Sequence, residues 1–358
     1  MNIVGERSSA AELARVAGPR QAAILSTGAA LPETVVTNEE IIARHGHGVT
    51  AAAVQKIFGV QQRRVAESGV ADSDLLAAAA RQCLERARVA PERLSKLIVT
   101  KFLGDRLLPM TASLTQRKLG TSVAFQSFDV DGGVNAFIQA IEVGVAAIAA
   151  GDELVLVTSG GIINRLVTRT DPRQAFLFGD GAGAVLLGRA QPGEGGSRIE
   201  AVCQVTDPRG AAFARGFELR KCATLDVNGV GGHQALFDLY RQGDWKEIQP
   251  LVLEGVERAM RRALSRAAVG LADVDLVLAT ENHGRLWSAV LEHLAIPREK
   301  TLSLLARYGN TMSAMLPLLL DQAVVEGRLR RGGRVLMLSV GEGLSCGAMV
   351  ATLGRHEE

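Results

Sequence analysis

Two segments far apart in the chain close alike, and this echo is the strongest constraint on the fold. "FLFGDGAGAVLLG" (176–188) and "VGEGLSCGAMVATLG" (340–354) each set an acid between two glycines and follow it with a small-residue β run. The elements before them recur in the same order. In the first half "AAILSTGAAL" reads as a strand entering a loop, "DLLAAAARQCLERARV" as a helix of strong helix formers, and "SKLIVTKF" as a strand. "PMTASLTQRKLG" follows as a helix stopped by Gly120, then "SVAFQSFDV" as a strand, "AFIQAIEVGVAAIAAG" as a helix stopped by Gly151, and "ELVLVTSG" as a strand. The second half runs through "WKEIQPLVLEGVERAMRRALSRA", a long amphipathic helix, and the strand "DLVLAT". It continues with "MSAMLPLLLDQAVVEG", a helix stopped by Gly327, and the strand "RVLMLSVGEG". Buried strands between helices imply a layered α/β fold. The echo implies an internal duplication of about 170 residues per half. The expected division is an N-terminal half at 1–192, an irregular Gly-rich connection at 193–244 and a C-terminal half at 245–358.

Composition narrows the function. With 4% aromatic residues in a chain that is 47% hydrophobic, the core must be built mainly from Ala, Val, Leu and Ile. The net charge of +2 is close to balance and the arginines are scattered, so nucleic-acid binding is not expected. No apolar run reaches the roughly 20 residues of a membrane span, and no membrane partner is expected. The first twenty residues carry charges and lack a signal-peptide core, so a cytoplasmic protein is expected. Cys83, Cys203, Cys222 and Cys346 have no metal-type spacing and read as free thiols. The six histidines are equally dispersed, and no metal site is expected.

The stretch around Asp180 has two readings. One is a tight turn that uses glycine dihedrals and close strand packing. The other is a phosphate cradle, which would need its glycines to open a helix, whereas a β run follows. The turn is the better reading.

Several motifs stand in an order that points to one family. "ILSTGAALPETVVTN" looks like its opening strand and loop, "GVQQRR" (59–64) like its Gly-hydrophobic-x-x-Arg-Arg turn, and "DRLLPMTASLTQRKLG" like its dimer-side helix. "FGDGAGAVLL" nearly matches its most diagnostic motif, and the block from "RYGNTM" to "GEGLSCGA" resembles its C-terminal region. The chain thus resembles the thiolase superfamily, within it the ketoacyl-ACP synthase III branch, from about residue 21 to 354. The resemblance implies a five-layered α/β/α/β/α fold, a homodimer and chemistry on acyl thioesters. The dimer would form through "SVAFQSFDV" and "DRLLPMTASLTQRKLG", with an interface above about 2,000 Å². Family members use a Cys-His-Asn set, with the cysteine at a helix N-terminus that lowers its pKa.

Carried over position by position, the set is broken. In "FDVDGGVNAF" the cysteine position is Val134. In "TENHGR" the histidine position is Thr280, the following asparagine position is His283, and the arginine is kept as Arg285. The catalytic asparagine is kept as Asn310. The second glycine turn has Glu342 where the family usually has glycine, and Gly343 is the kept oxyanion-type position. Ala53 is nearest the tryptophan that often stacks on coenzyme A, which favours a carrier-bound acyl group. Arg285 and neighbouring arginines would meet a carrier's acidic surface or the phosphopantetheine phosphate.

These residues predict acyl transfer to an amine or hydroxyl without a covalent intermediate. His283 would be the general base, with a pKa near roughly 6.5 shifted by burial and by Glu281. Asn310 would position substrate, and the Val134 and Gly343 N–H groups would hold the oxyanion. His283 also reads as a surface or capping residue. Cys346 is a possible substitute nucleophile, although a small buried residue is the better reading. Asp131 and Glu342 would activate a nucleophile or fix a loop. His45 and His47 read as loop residues, and Trp245 and Trp287 as core or acyl-pocket lining. No cofactor is expected; acyl-CoA or an acyl carrier's phosphopantetheine arm is the substrate, with acyl carrier protein as a partner. The rival expectation is a silent subunit that forms a heterodimer with an active, cysteine-bearing ketosynthase.

Overall fold

In the computed structural model the expected strands pair into two main sheets. It describes residues 20–106, 108–131, 133–167, 172–191, 196–210, 245–330 and 332–354. The first sheet contains β1 (Ala22–Ala30), β4 (Lys96–Thr100), β5 (Gln126–Val130), β6 (Leu154–Gly161) and β7 (Gly181–Arg189), in the order β1-β7-β6-β4-β5. A small hairpin, β2 (Val35–Thr37) with β3 (Gln62–Arg64), lies outside it. The second sheet contains β8 (Arg198–Thr206), β9 (Leu276–Ala279), β10 (Arg334–Gly341) and β11 (Ser345–Thr352), in the order β8-β11-β10-β9. The duplication is visible in the pairing. β7 runs antiparallel to β6 and β1, and β11 runs antiparallel to β10 and β8.

β8 corrects the sequence reading of 193–244 as irregular throughout. "RIEAVCQVT" alternates half-buried and buried residues along its length, a period of two that closes the second sheet where β1 closes the first. Residues 211–244 of that connection lie outside the described residues.

Helices complete five layers. α3 (Asp72–Ala87) and α4 (Thr111–Leu119) cover the outer face of the first sheet, after the short α1 (Asn38–His45) and α2 (Ala51–Phe58). α5 (Ala136–Ala150) lies between the sheets. α6 (Trp245–Ala267) and α7 (Gly284–His293) cover the second sheet from outside. The four-residue α8 (Leu305–Tyr308) precedes α9 (Met315–Val325), which joins α5 in the middle layer. The central core is aliphatic, with Ile138, Ile141, Leu187, Leu319, Met337 and Met349 at its heart. Residues 133–150 have a mean hydropathy of 1.6 and are apolar enough by length and composition to cross a membrane. Here they pass between two sheets, which explains the same composition.

Two parallel strands lead to the candidate site. β5 runs parallel to β4, and β9 runs parallel to β10. Their C-terminal ends lead into the segments that carry Val134 and Thr280, the usual place for function in parallel α/β sheets.

Candidate active site

The turn after β5 is built for a helix start. Gly133 has φ +57°, a left-handed conformation that costs glycine little. Val134 and Asn135 form a short 3₁₀ turn that runs into α5. The turn packs directly on the second half: a Cβ on Gly341 would lie 2.8 Å from the Asn135 nitrogen. Asn135 Nδ2 donates to Ser345 Oγ and to Gln204 Oε1, both at 2.8 Å. The Val134 side chain is buried in an apolar cluster with Ile163, Phe178, Leu305 and Met312. No thiol stands there, and the space is filled by packing.

The backbone of Val134 is occupied in another way. Its N–H donates to Glu342 Oε2 at 2.9 Å. The carboxylate also accepts from the N–H of Glu342 itself. The second donor is therefore residue 342, one position before the expected Gly343. Gly343, with φ +68°, makes the turn instead. Oε2 comes so near Gly133 that a Cβ there would stand 2.0 Å away. Glu342 is open to solvent on one side, but protein crowds its carboxylate from the others. That crowding raises its pKa above the usual carboxylate range, and the Val134 and Glu342 N–H groups offset it only in part.

The "TENHGR" segment is stitched into the scaffold. Thr280 is buried, and its Oγ1 accepts from the Val340 N–H at 3.0 Å. Glu281 is fully buried and accepts from the Leu304 and Leu305 N–H groups at 2.8 and 3.0 Å, capping α8. Burial pushes its carboxyl up to about 7, and the Ser303 side chain with the Leu304 and Leu305 N–H groups offsets that only in part. His283 is the N-cap of α7: its Nδ1 accepts from the Leu286 N–H at 3.2 Å. In the neutral ring this engages the Nδ1 lone pair and leaves the proton on Nε2. Burial first, then the Arg285 charge, push its pKa down to about 4. Glu281 points to α8 and has no part in that shift. The expected imidazole base of pKa near roughly 6.5 thus becomes a helix cap. Arg285 lies exposed in the first turn of α7.

Asn310 joins the halves. Its N–H donates to Leu177 O at 2.8 Å, and its carbonyl accepts from the Gly179 N–H at 3.0 Å. Its side chain donates to Asn282 O at 3.0 Å and accepts from the Met312 N–H at 2.8 Å. Met312 itself has φ +54°, a left-handed value rare for its type, at the heart of the site. Val134, Met312 and Glu342 are therefore brought together, with Asn310 adjacent through Met312.

Other candidates fall elsewhere. Cys346 is buried with its Sγ toward α6, where a Cβ on Gly255 would be 2.9 Å away, and burial pushes its thiol up to about 12. Asp131 pairs with Lys101 at 3.3 Å on the surface. The His47 ring lies 5.0 Å from Phe176 and 6.3 Å from His45. Arg298 stacks over Trp287 at 5.1 Å, beside the outer cluster of the second sheet. The Trp245 side chain lies outside the described residues. Two surface cavities, of about 900 and 1240 Å³, are lined by none of Val134, Thr280, His283, Asn310 and Glu342. The signal for Glu342 was present in the sequence as an acid where glycine was expected; its reach back to residue 134 was not.

The comparisons with known proteins agree with this architecture. The family described as 3-Oxoacyl-[acyl-carrier-protein (ACP)] synthase III matches residues 128–208, and its C-terminal family matches 264–353. A curated relative, Beta-ketoacyl-[acyl-carrier-protein] synthase III 3 of Streptomyces coelicolor, is 32% identical over 342 residues, spanning 93% of this chain and 97% of the relative. The chain belongs to the ketoacyl-ACP synthase III family. Its fold is thiolase-like. The 3-oxoacyl-[acyl-carrier-protein] synthase III of Aquifex aeolicus superposes with a TM-score of 0.80 at 27% identity, over 92% of this chain and 99% of that one. The priming β-ketosynthase of the R1128 polyketide biosynthetic pathway superposes with a TM-score of 0.82 at 25% identity, over 95% and 98%.

Proposed function

We propose that this ketoacyl-ACP synthase III-like chain binds an acyl thioester and transfers its acyl group directly to an amine or hydroxyl, without an acyl-enzyme. The setting is fatty-acid-type or polyketide-type biosynthesis in the cytoplasm. The observation that carries the reading is the Val134 N–H, which keeps an oxygen-binding position at the start of α5 while its side chain offers no nucleophile. With no thiol to be acylated, acyl donor and acceptor must meet in one complex. His283 caps α7 by accepting from the Leu286 N–H, and Asn310 holds the Asn282–Met312 segment in place. An amine asks less of such a site than a hydroxyl: it attacks as the free base, the C–S bond breaks as the C–N bond forms, and the proton the amine sheds goes to the departing carrier thiolate. Arg285 and the lost tryptophan position at Ala53 favour delivery on a carrier protein over free coenzyme A.

The chain is proposed to act as a homodimer. β5 is an outer strand, paired on one side among the described residues, and Leu108, Met110 and Val123 are exposed nearby. A monomer by light scattering at micromolar concentration would rule this out.

The test of the reaction is incubation with acyl-pantetheine thioesters and a panel of amines and alcohols. The expected result is product formation with sequential kinetics and an unchanged intact protein mass. A stable acyl adduct on any cysteine would overturn the direct mechanism. Val134→Cys alone should not bring strong condensation, because Thr280 offers no imidazole. A second reading, a silent subunit beside an active ketosynthase, is favoured by one observation: Glu342 already fills the oxygen-binding position. A chain that makes no product alone, yet is recovered with a cysteine-bearing ketosynthase, would support it.

A further inference from the structure

We propose that Glu342 is the specificity-determining residue of this site, an internal ligand that holds the two oxygen-binding N–H groups and yields them only to an acyl carbonyl that displaces it. The inference rests on the acyl-thioester reading above. Three observations carry it. The carboxylate oxygen Oε2 sits 2.9 Å from the Val134 nitrogen, and the carboxylate also accepts from the Glu342 N–H. Gly133 leaves the room it needs, since any Cβ there would collide with Oε2. The residue is reachable from solvent, and a Cβ on the adjoining Gly343 would meet nothing within 4 Å, so the side chain has somewhere to go.

The chemistry of the exchange is simple. Two N–H donors at a helix start suit one oxygen carrying negative charge. A carboxylate oxygen and an acyl oxygen ask for the same place, so only one can hold it. A neutral carboxyl is a weaker acceptor than a carboxylate, so acyl binding should strengthen as pH falls through the raised pKa of Glu342. The neighbours that face it are the 133–135 turn and its own 341–344 turn. Among the described residues no ion pair engages Glu342, and burial with the two N–H groups accounts for its shift.

The experiment compares two pantetheine ligands by calorimetry. One is an acyl-pantetheine analogue with the thioester sulfur replaced by methylene, which keeps the carbonyl. The other is the matching alkyl thioether, which has none. In the wild-type chain at pH 8 the two should bind within about twofold. Glu342→Gly should favour the ketone about tenfold, the effect of roughly one good hydrogen bond, and leave the thioether unchanged. The same preference in both proteins would overturn the proposal. A second measurement needs no ligand. The Val134 amide proton, followed by NMR in ¹⁵N-valine-labelled protein and assigned by its loss in Val134→Ala, should titrate with pH in the wild type. It should stop titrating in Glu342→Gln, and an amide indifferent to that change also overturns the proposal. If neither ligand binds any variant, the acyl-thioester reading falls, while the Val134 amide still decides whether Glu342 holds the pair.

Discussion

Asp180 and Glu342 occupy the same local motif, an acid between two glycines at the start of a small-residue strand, yet they do opposite things. Asp180 is fully buried and accepts from four donors: the N–H groups of Ala66, Ile163 and Asn164 and the Asn164 side chain, at 2.8 to 3.0 Å. It ties the β3 hairpin to the loop after β6. Close to it, a Cβ on Gly179 would lie 1.8 Å from Tyr308 O, so glycine lets the halves touch. Glu342 is solvent-accessible, one methylene longer, and held by two N–H groups in a turn that faces the candidate site. The comparison teaches that the motif sets only a turn. Whether its acid becomes a clamp or a ligand depends on how many donors the rest of the fold brings to it.

The largest expected effect tests that contrast directly. Asp180→Ala would strand three buried donors and one half-buried one, and should cost about 4 kcal/mol of stability, since each unpaired buried group costs about 1–3 kcal/mol. Glu342→Ala should change stability by no more than about 0.5 kcal/mol. Urea denaturation that gave equal losses would break the comparison.

Glu281 is an intermediate case, buried like Asp180 but held by two backbone donors and the Ser303 side chain. Its carboxyl is raised from 4.5 to about 7, so between those values the folded chain keeps a proton that the unfolded chain has released. Stability must then fall as pH rises through this window and stay lower above it. Glu281→Gln should flatten that slope and be more stable than wild type at pH 8 by about 2 kcal/mol. A variant with the same pH slope as wild type would show that the buried carboxyl is ionised throughout.

The smallest effect concerns His283. His283→Ala removes the α7 cap and should cost about 1 kcal/mol. Its pH signature has the opposite sign to that of Glu281. The folded ring, at about 4, resists a proton that the unfolded ring takes up near 6.5, so stability is lost as pH falls between those values. The substitution should remove that loss. If a transfer activity is found and His283→Ala abolishes it while stability barely changes, the ring does more than cap.

Much of this was legible in residue order. Alternating periodicities gave the layers, the paired glycine turns gave the duplication, and Gly120 and Gly327 stop their helices in the left-handed conformation expected of them. That residue 134 is a valine, with no nucleophilic side chain, is a fact of sequence alone. β8 was lost in a Gly-rich stretch because its partner, β11, lies far along the chain. The roles of the acids were equally out of reach. Asp180, Glu281 and Glu342 are all carboxylates in glycine-rich or loop contexts, and nothing local distinguishes four donors from two. A side chain's identity fixes what it can donate or accept. Its burial, its pKa and its partner are set by backbone groups that arrive from distant segments, as residue 134 meets residue 342 only when the two halves close on each other.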